Sequence, residues 1–159
     1  MHYLFLEKDV VALREKLDKL EEQKLSTAQD AAIHVGQSSE TWHDNAGFEI
    51  AIREQMRLSK ETSDIRNMFV KIHTVTPNPK PTKVEVGSKI VLKDLDTDEQ
   101  KTFIISSYQV LNKKDDSEIS YTAPIIQPFM NKRKGTKKNI LTPNGEKKYE
   151  LISIQPTDI

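Results

Sequence analysis

Two carboxylates lie close together in a polar segment in the first third of the chain. Residues 40–46 are Glu-Thr-Trp-His-Asp-Asn-Ala, which places Glu40 and Asp44 four positions apart. Two carboxylates on one short turn can share a divalent cation, because Mg²⁺ prefers charged oxygen ligands and retains its other waters. The alternative is that Asp44 caps the helix that follows and Glu40 is solvated. Spacing alone favours this alternative.

The same segment contains the only tryptophan of the chain, Trp42. An exposed tryptophan in a polar segment is favoured as an anchor for a binding partner. The alternative is that Trp42 folds back towards Phe48. His43 is a candidate because of its position beside Trp42, whereas the other three histidines are scattered along the sequence.

Apolar residues on both sides of this segment repeat every three or four positions, as in packed helices. The first seam consists of Leu6, Val10, Leu13, Leu17 and Leu20, continued in a shifted register by Leu25, Ala28, Ala32 and Val35. The second seam consists of Phe48, Ala51, Gln55, Leu58, Thr62, Ile65, Phe69 and Ile72. Two seams of similar length predict an antiparallel coiled-coil hairpin over residues 1–76, with Asp44 or Asn45 capping its second helix.

The chain changes character after this hairpin. Residues 77–82 contain three prolines at alternate positions and predict an extended linker. From Lys83 onwards the apolar pattern has a period of two, which predicts strands at 84–86, 89–92, 102–105, 119–121, 139–142 and 148–155. A short helix is predicted at 124–130, and Asn144-Gly145 predicts a hairpin turn. The fold class is therefore α+β, with a small antiparallel sheet and one short helix over residues 83–159.

Composition excludes several classes of protein. The 159 residues carry 24 basic and 24 acidic side chains, so the overall charge indicates no affinity for nucleic acid or anionic membranes. Cysteine is absent, which excludes disulfides and cysteine-zinc sites. No stretch is long enough to span a membrane, and the apolar run at residues 1–6 is too short for a signal peptide, so a cytoplasmic location is expected. The basic run at residues 132–138 could meet an acidic partner or nucleic acid, or form a solvated loop.

The order and spacing of these segments resemble the Gre family of bacterial transcript-cleavage factors, which includes GreA and GreB. The family pattern Gly-Asp-Leu-x-Glu-Asn-Ala-Glu-Tyr corresponds to residues 40–48 of this chain. Further segments that resemble the family are 86–92, 94–99, Ala123-Pro124-Ile125, Gly135 and 142–146. The likeness extends over nearly the whole chain and depends on the segments together, since no single motif is decisive.

The resemblance implies a coiled-coil finger attached to an FKBP-like domain. It implies a monomer that binds RNA polymerase at its secondary channel, with residues 123–125 near the rim and residues 40–45 near the active centre. Asp44, helped by Glu40, would share Mg²⁺ transiently with the polymerase, while Thr41, Trp42, His43 and Asn45 would contact it. No cofactor is expected to be bound stably, contact with nascent RNA would be indirect, and the polymerase itself would hydrolyse the transcript.

The sequence departs from the family pattern at the proposed site. Thr41 stands in place of the first acid, Asp44 is a shorter form of the second, and Glu40 replaces a glycine. Trp42 replaces leucine, and Ala123 replaces the serine that precedes Pro124. Loss of a metal ligand or of its support commonly costs about 10- to 100-fold in metal affinity or activity. A Gfh-type relative that occupies the channel without stimulating cleavage is therefore an alternative. Two others are an FKBP-like prolyl isomerase and a coiled-coil adaptor.

Overall fold

The structure is a computed structural model that describes residues 1–37 and 46–159. The chain divides into two compact units. The sheet unit contains Met1–Ala12 and Ile72–Ile159, and the helical unit contains Leu13–Lys71. This division differs from the predicted boundaries at residues 76 and 83. The reason is that the first strand, β1 (Tyr3–Leu6), pairs in parallel with β2 (Ile72–Val75), which attaches both chain segments to the sheet unit.

Two long helices, α1 (Glu7–Gln37) and α2 (Ala46–Phe69), account for the helical unit. Lys16 of α1 forms an ion pair of 2.8 Å with Glu61 of α2, and Glu21 pairs with Arg66. Closer to the connecting segment, Thr27 and Asp30 of α1 line a cleft with Ile50 and Glu54 of α2. Residues of α1 that are farther from the connection thus contact residues of α2 that are also farther from it, as in two antiparallel helices. This confirms the predicted antiparallel helical hairpin.

The α1 seam keeps one register, so the predicted shift is wrong. Leu25 is 63% exposed, and Ala28 and Ala32 are also exposed. Apart from Glu21, which pairs with Arg66, the buried and half-buried positions described in α1 within the helical unit are Leu13, Leu17, Leu20, Lys24, Thr27 and Ala31. Their spacing of 4, 3, 4, 3 and 4 continues the heptad, because the long stem of a lysine and the small side chains of Thr and Ala can occupy a seam without a change of helix face.

The α2 seam follows the prediction up to the end of the helix. Its buried residues are Ala51, Leu58, Thr62 and Ile65. Thr62 satisfies its buried hydroxyl by donating a hydrogen bond of 2.7 Å to the carbonyl oxygen of Leu58, one turn earlier. Ile72, predicted as the last residue of this seam, instead begins β2.

Five strands form the larger sheet of the sheet unit. They are β3 (Ser88–Asp94), β4 (Gln100–Ser106), β5 (Glu118–Ser120), β6 (Lys137–Thr142) and β7 (Gly145–Pro156), and their spatial order is β5-β4-β3-β7-β6. The β4–β5 pair is parallel and the other pairs are antiparallel. The prediction of a purely antiparallel sheet is thus wrong at one edge, because residues 107–117 cross over instead of forming a hairpin. Residues 84–86 form no strand.

One face of the larger sheet carries the main core of the unit. Ile90, Leu92, Ile105 and Leu151 are fully buried there, together with Phe129 from the short helical segment. That segment is a 3₁₀ turn (Gln127–Phe129), shorter than the predicted helix over 124–130. Proline explains the difference, since Pro128 lacks an N–H and restricts the residue before it. The α+β fold class is confirmed.

The predicted hairpin between β6 and β7 is present. Thr142 pairs with Gly145, so Pro143 and Asn144 form the turn. Of the Asn-Gly pair only Gly145 takes a positive φ, 110°, which glycine adopts without steric cost. Within the described parts of the chain, neither long helix has the length of apolar sequence that a membrane crossing requires.

Candidate functional site

The segment that joins α1 to α2 contains most of the predicted site. The predicted residues in it are Glu40, Thr41, Trp42, His43, Asp44 and Asn45, and all six lie outside the described residues. The structure does define the helix ends that carry the segment, since α1 ends at Gln37 and α2 begins at Ala46. The eight residues between them connect two antiparallel helices.

A cleft of about 320 Å³ lies between α1 and α2, lined by described residues that are close in sequence to this segment. Asp30 and Glu54 contribute carboxylates to it, and Ile50, 66% exposed, contributes an apolar side chain. Glu54 is already engaged, because Arg57 donates hydrogen bonds of 2.7 and 2.9 Å to its two oxygens. Over residues 1–37 and 46–159, no group of three or more His, Asp and Glu side chains is arranged to hold a metal ion.

Ion pairs within α2 and between α1 and α2 neutralise part of the charge on the helix surfaces. Arg57 binds Glu54 on one side and Glu61, at 3.0 Å, on the other, and Lys16 binds Glu61 from α1. The hydrogen bond from Arg57 lowers the pKa of Glu54, and the hydrogen bond from Lys16 lowers the pKa of Glu61. Both carboxyl groups therefore remain ionised at neutral pH, although exposed pairs of this kind add little stability.

The second predicted contact, Ala123-Pro124-Ile125, is a rigid turn of the sheet unit. The Ala123 N–H donates to the Ser120 carbonyl at 3.0 Å, and the Ala123 carbonyl accepts from the Ile126 and Gln127 amides at 2.8 and 2.9 Å. Ala123 and Ile125 are half-buried against the core, whereas Pro124 is exposed. The turn thus presents a proline ring from a fixed backbone.

A buried carboxylate at the start of α1 is a feature that the sequence did not indicate. Asp9 is fully buried, and its Oδ1 accepts hydrogen bonds from the amides of Leu111 and Asn112 at 2.9 and 3.1 Å. Its Oδ2 accepts from the Ser107 hydroxyl at 2.6 Å. Ser107 in turn accepts the Leu6 N–H at 2.8 Å. These partners lie about a hundred positions away in sequence, so no local pattern could have revealed them.

A second buried acid lies beside this arrangement. Glu118 forms an ion pair with Lys8 and accepts the Lys114 amide at 2.8 Å. Lys8 also donates to the Asn112 carbonyl at 3.1 Å. The Ser106 hydroxyl lies 3.4 Å from Glu118 and 3.5 Å from Asp9. Both acids thus bind the first turn of α1 to the crossover between β4 and β5.

Comparison with known proteins gives consistent similarities. The family model described as "Transcription elongation factor, GreA/GreB, C-term" matches residues 78–156. The transcription elongation factor GreA of Orientia tsutsugamushi (strain Boryong) is 28% identical over 148 residues, which cover 89% of this chain and 87% of the relative. GreA of Pseudomonas putida is 29% identical over 141 residues, which cover 87% and 85%. The crystal structure of GreA factor homolog 1 (Gfh1) of Thermus thermophilus is 17% identical, with a TM-score of 0.45, and covers 98% of this chain and 99% of that chain.

An antiparallel pair of long helices followed by a mostly antiparallel five-stranded sheet defines the architecture, and the matched residues 78–156 contain all five strands of that sheet. The sequence similarities identify the class as transcription elongation factors. Within this class the chain is similar to the GreA/GreB family, whose C-terminal model matches residues 78–156.

Proposed function

We propose that the protein binds RNA polymerase at its secondary channel and modulates elongation as an accessory factor rather than as an enzyme. The observation that carries this proposal is the GreA/GreB match over residues 78–156. The two antiparallel helices support it, because the polar segment that joins them contains two carboxylates and the tryptophan of the chain. Transcription takes place in the bacterial cytoplasm, so we propose that the protein is located there. We also propose that it acts as a monomer.

Asp44 is the residue of this segment that fits a role at the polymerase active centre. A carboxylate is the ligand that Mg²⁺ prefers, and Glu40 supplies a second one nearby in sequence. Mg²⁺ shared with the polymerase would supply the activation of a water for hydrolysis of a backtracked transcript. In this proposal Asp44 contributes charge and orientation, Glu40 supports it, and the polymerase carries out the reaction. Trp42, His43 and Asn45 contact the channel.

A second candidate function follows from Thr41. This position is an acid in the family pattern, and a hydroxyl is a neutral and weaker Mg²⁺ ligand. A factor with one of the two acids replaced would occupy the channel and restrain the polymerase without stimulating cleavage. This Gfh-type behaviour shares the docking step with the first candidate and differs from it only at the cleavage step.

One experiment tests docking and cleavage separately. Purified elongation complexes, backtracked by a defined distance, are incubated with the protein, and bound factor and transcript length are both measured. We expect the protein to bind the complexes and to shorten the transcript. Binding without shortening supports the Gfh-type function, and absence of binding refutes both candidates.

Three variants assign the cleavage step. Asp44→Ala should reduce cleavage by about 10- to 100-fold while binding is retained. Thr41→Asp should increase cleavage, because it restores the acid of the family pattern. Asp18→Ala, which removes an exposed carboxylate from α1, is the matched control and should change neither quantity. Equal cleavage by Asp44→Ala and the unaltered protein would remove Asp44 from the mechanism.

The role of the 123–125 turn in docking requires its own variant. Pro124→Glu places a charge on the exposed side of the turn and should weaken polymerase binding at least tenfold if this surface is desolvated by the polymerase. Pro143→Glu places the same charge on another exposed turn proline of the same unit and serves as the control. Equal binding by the two variants would place the docking surface elsewhere.

A further inference from the structure

The basic loop, residues 132–138, concentrates positive charge on a protein with no net charge. Five of its seven residues are basic, namely Lys132, Arg133, Lys134, Lys137 and Lys138, and the sequence contains no acid between Glu118 and Glu146. Lys138 is half-buried and the other four are exposed. Among the ion pairs of the described residues, one involves this loop: Lys137 lies 3.9 Å from Glu150. Four cations are therefore not neutralised by neighbouring side chains.

Backbone hydrogen bonds hold the loop in one conformation. The Gly135 amide donates to the Leu151 carbonyl at 2.7 Å, and the Leu151 amide donates back to the Thr136 carbonyl at 2.9 Å. The Thr136 hydroxyl donates to the Arg133 carbonyl at 2.7 Å, and the Lys132 carbonyl accepts the Val84 amide at 2.9 Å. The cations are thus presented from a fixed backbone, which reduces the entropy lost when a ligand binds.

The side chains of the loop indicate the class of partner. Apart from Gly135, the loop contains only basic residues and Thr136. Its apolar neighbours Phe129 and Ile140 are buried in the core, and Leu141, three positions after the loop, is a single exposed apolar side chain. Binding to a protein surface usually requires a cluster of apolar or aromatic side chains as an anchor, and the loop itself contains none. Stacking on nucleic-acid bases requires an exposed aromatic side chain, which the loop also lacks. Clustered Lys and Arg without aromatic residues suit a row of phosphates.

We propose that the basic loop binds the phosphate backbone of nucleic acid without reading its sequence. Lys83 extends the surface, since it is exposed and precedes Val84, whose amide bonds the Lys132 carbonyl and whose carbonyl accepts the Asn131 amide at 2.8 Å. This proposal does not depend on polymerase docking, because residues 132–138 share no member with the residues proposed for docking, 40–46 and 123–125.

The test uses the full-length protein without polymerase. Fluorescence anisotropy measures its binding to a labelled DNA duplex of mixed sequence, and to one labelled strand of it, over a series of salt concentrations. We expect weak affinity, in the range of about 10⁻⁴ to 10⁻⁶ M near physiological salt, that falls steeply as salt increases. Each cation that contacts a duplex phosphate contributes about −0.9 to the slope of log K against log salt, and about −0.7 for a single strand.

The decisive variant is Lys132→Gln/Arg133→Gln/Lys134→Gln. It should make the duplex slope shallower by roughly 2 to 3 and weaken binding by at least roughly tenfold at low salt. The matched control removes three exposed lysines elsewhere in the sheet unit, Lys80, Lys101 and Lys114. It should leave the slope nearly unchanged. Near-UV circular dichroism of the tyrosines verifies that both variants are folded.

Three results would overturn the proposal. The first is an unchanged slope in the basic-loop variant. The second is an equal loss in the control variant, which would indicate binding by lysines in general. The third is equally tight, variant-sensitive binding of labelled poly-glutamate of matched charge, which would assign the loop to an acidic protein partner instead.

Discussion

Replacing Asp9 should destabilise the sheet unit more than its place in the first turn of a helix suggests. Asp9→Ala removes the acceptor of three short hydrogen bonds, from the amides of Leu111 and Asn112 and the hydroxyl of Ser107, and of a longer one from the Ser106 hydroxyl. A buried donor left unsatisfied costs about 1–3 kcal/mol. Ser107 is fully buried, whereas Leu111 and Asn112 are exposed residues whose amides water can partly rescue. The expected loss is therefore roughly 2–4 kcal/mol, which is a large share of a typical domain's stability.

The positions of the tyrosines permit this loss to be measured in one unit. The four tyrosines of the chain, residues 3, 108, 121 and 149, all lie in the sheet unit. Tyr3 and Tyr108 also contact each other, with ring centroids 4.3 Å apart, beside the Asp9 site. Near-UV circular dichroism of tyrosine therefore follows unfolding of the sheet unit, while the far-UV helix signal follows mainly the helical unit.

Urea denaturation gives the expected shift. With a slope of about 2 kcal/mol per molar urea, a loss of about 3 kcal/mol lowers the midpoint of the tyrosine transition by roughly 1.5 M. Asp9→Asn should lose less, about 1–2 kcal/mol, because its amide oxygen can still accept from the Leu111 and Asn112 amides. Asp18→Ala, at an exposed position of the same helix, should lie within about 0.5 kcal/mol of the unaltered protein.

The reasoning would be refuted by an Asp9→Ala protein whose tyrosine transition has the same midpoint as that of Asp18→Ala. Such a result would mean that the loop at 107–112 does not depend on this carboxylate. A loss confined to the helix signal would also contradict it, because the partners of Asp9 belong to the sheet unit.

Three further predictions concern other parts of the packing. Gln55→Leu should stabilise the helical unit by about 1 kcal/mol in a far-UV denaturation curve, because the buried Oε1 of Gln55 has no hydrogen-bond partner among the described residues; a lower midpoint would contradict this. Gly87→Ala should lower the free energy of unfolding by about 2–4 kcal/mol, since φ is 87° and the new Cβ would lie 2.7 Å from Cβ of Pro77. Gly135→Ala, at φ 89° but with open space around it, should lower it by only about 1–2 kcal/mol. Equal losses in the two variants would rule out the clash with Pro77. The hydrogen bond from the Asp96 amide, and to a smaller extent the one from Lys147, lowers the pKa of Asp94 below its ordinary 3.8. The ionised Asp94 therefore stabilises the fold above pH 3.8, and this stabilisation is lost as the pH falls through the lowered pKa. The urea midpoint of Asp94→Asn should therefore lie below that of the unaltered protein at neutral pH and converge with it in strong acid, and a constant difference would contradict this.

Periodicity alone determined the larger elements. The repeat at Ala51, Leu58 and Ile65 fixes the buried face of α2, because side chains three and four positions apart share one side of a helix. The alternation in β3, where Ile90 and Leu92 face the core, follows from the two-residue period of a strand. Such patterns depend only on local geometry, and they were sufficient for the hairpin, most strands and the α+β class.

The candidate site was predictable to a smaller extent. Residue types and family likeness singled out residues 40–45 and 123–125, and the structure describes only the second group, as a rigid turn with Pro124 exposed. The role of Asp44 stays a prediction. The basic loop was visible as a charge run, but the hydrogen bonds that fix it, from Gly135 to Leu151 and from Val84 to Lys132, involve residues distant in sequence.

Tertiary structure decided which segments belong together. The sequence of residues 3–6 is compatible with either the start of a helix or a strand. They form the strand β1 because they pair in parallel with Ile72–Val75. The parallel edge pair β4–β5 and the burial of Asp9 likewise depend on contacts between segments far apart in sequence. A local pattern specifies which face of an element is apolar, but it carries no information about which distant segment covers that face.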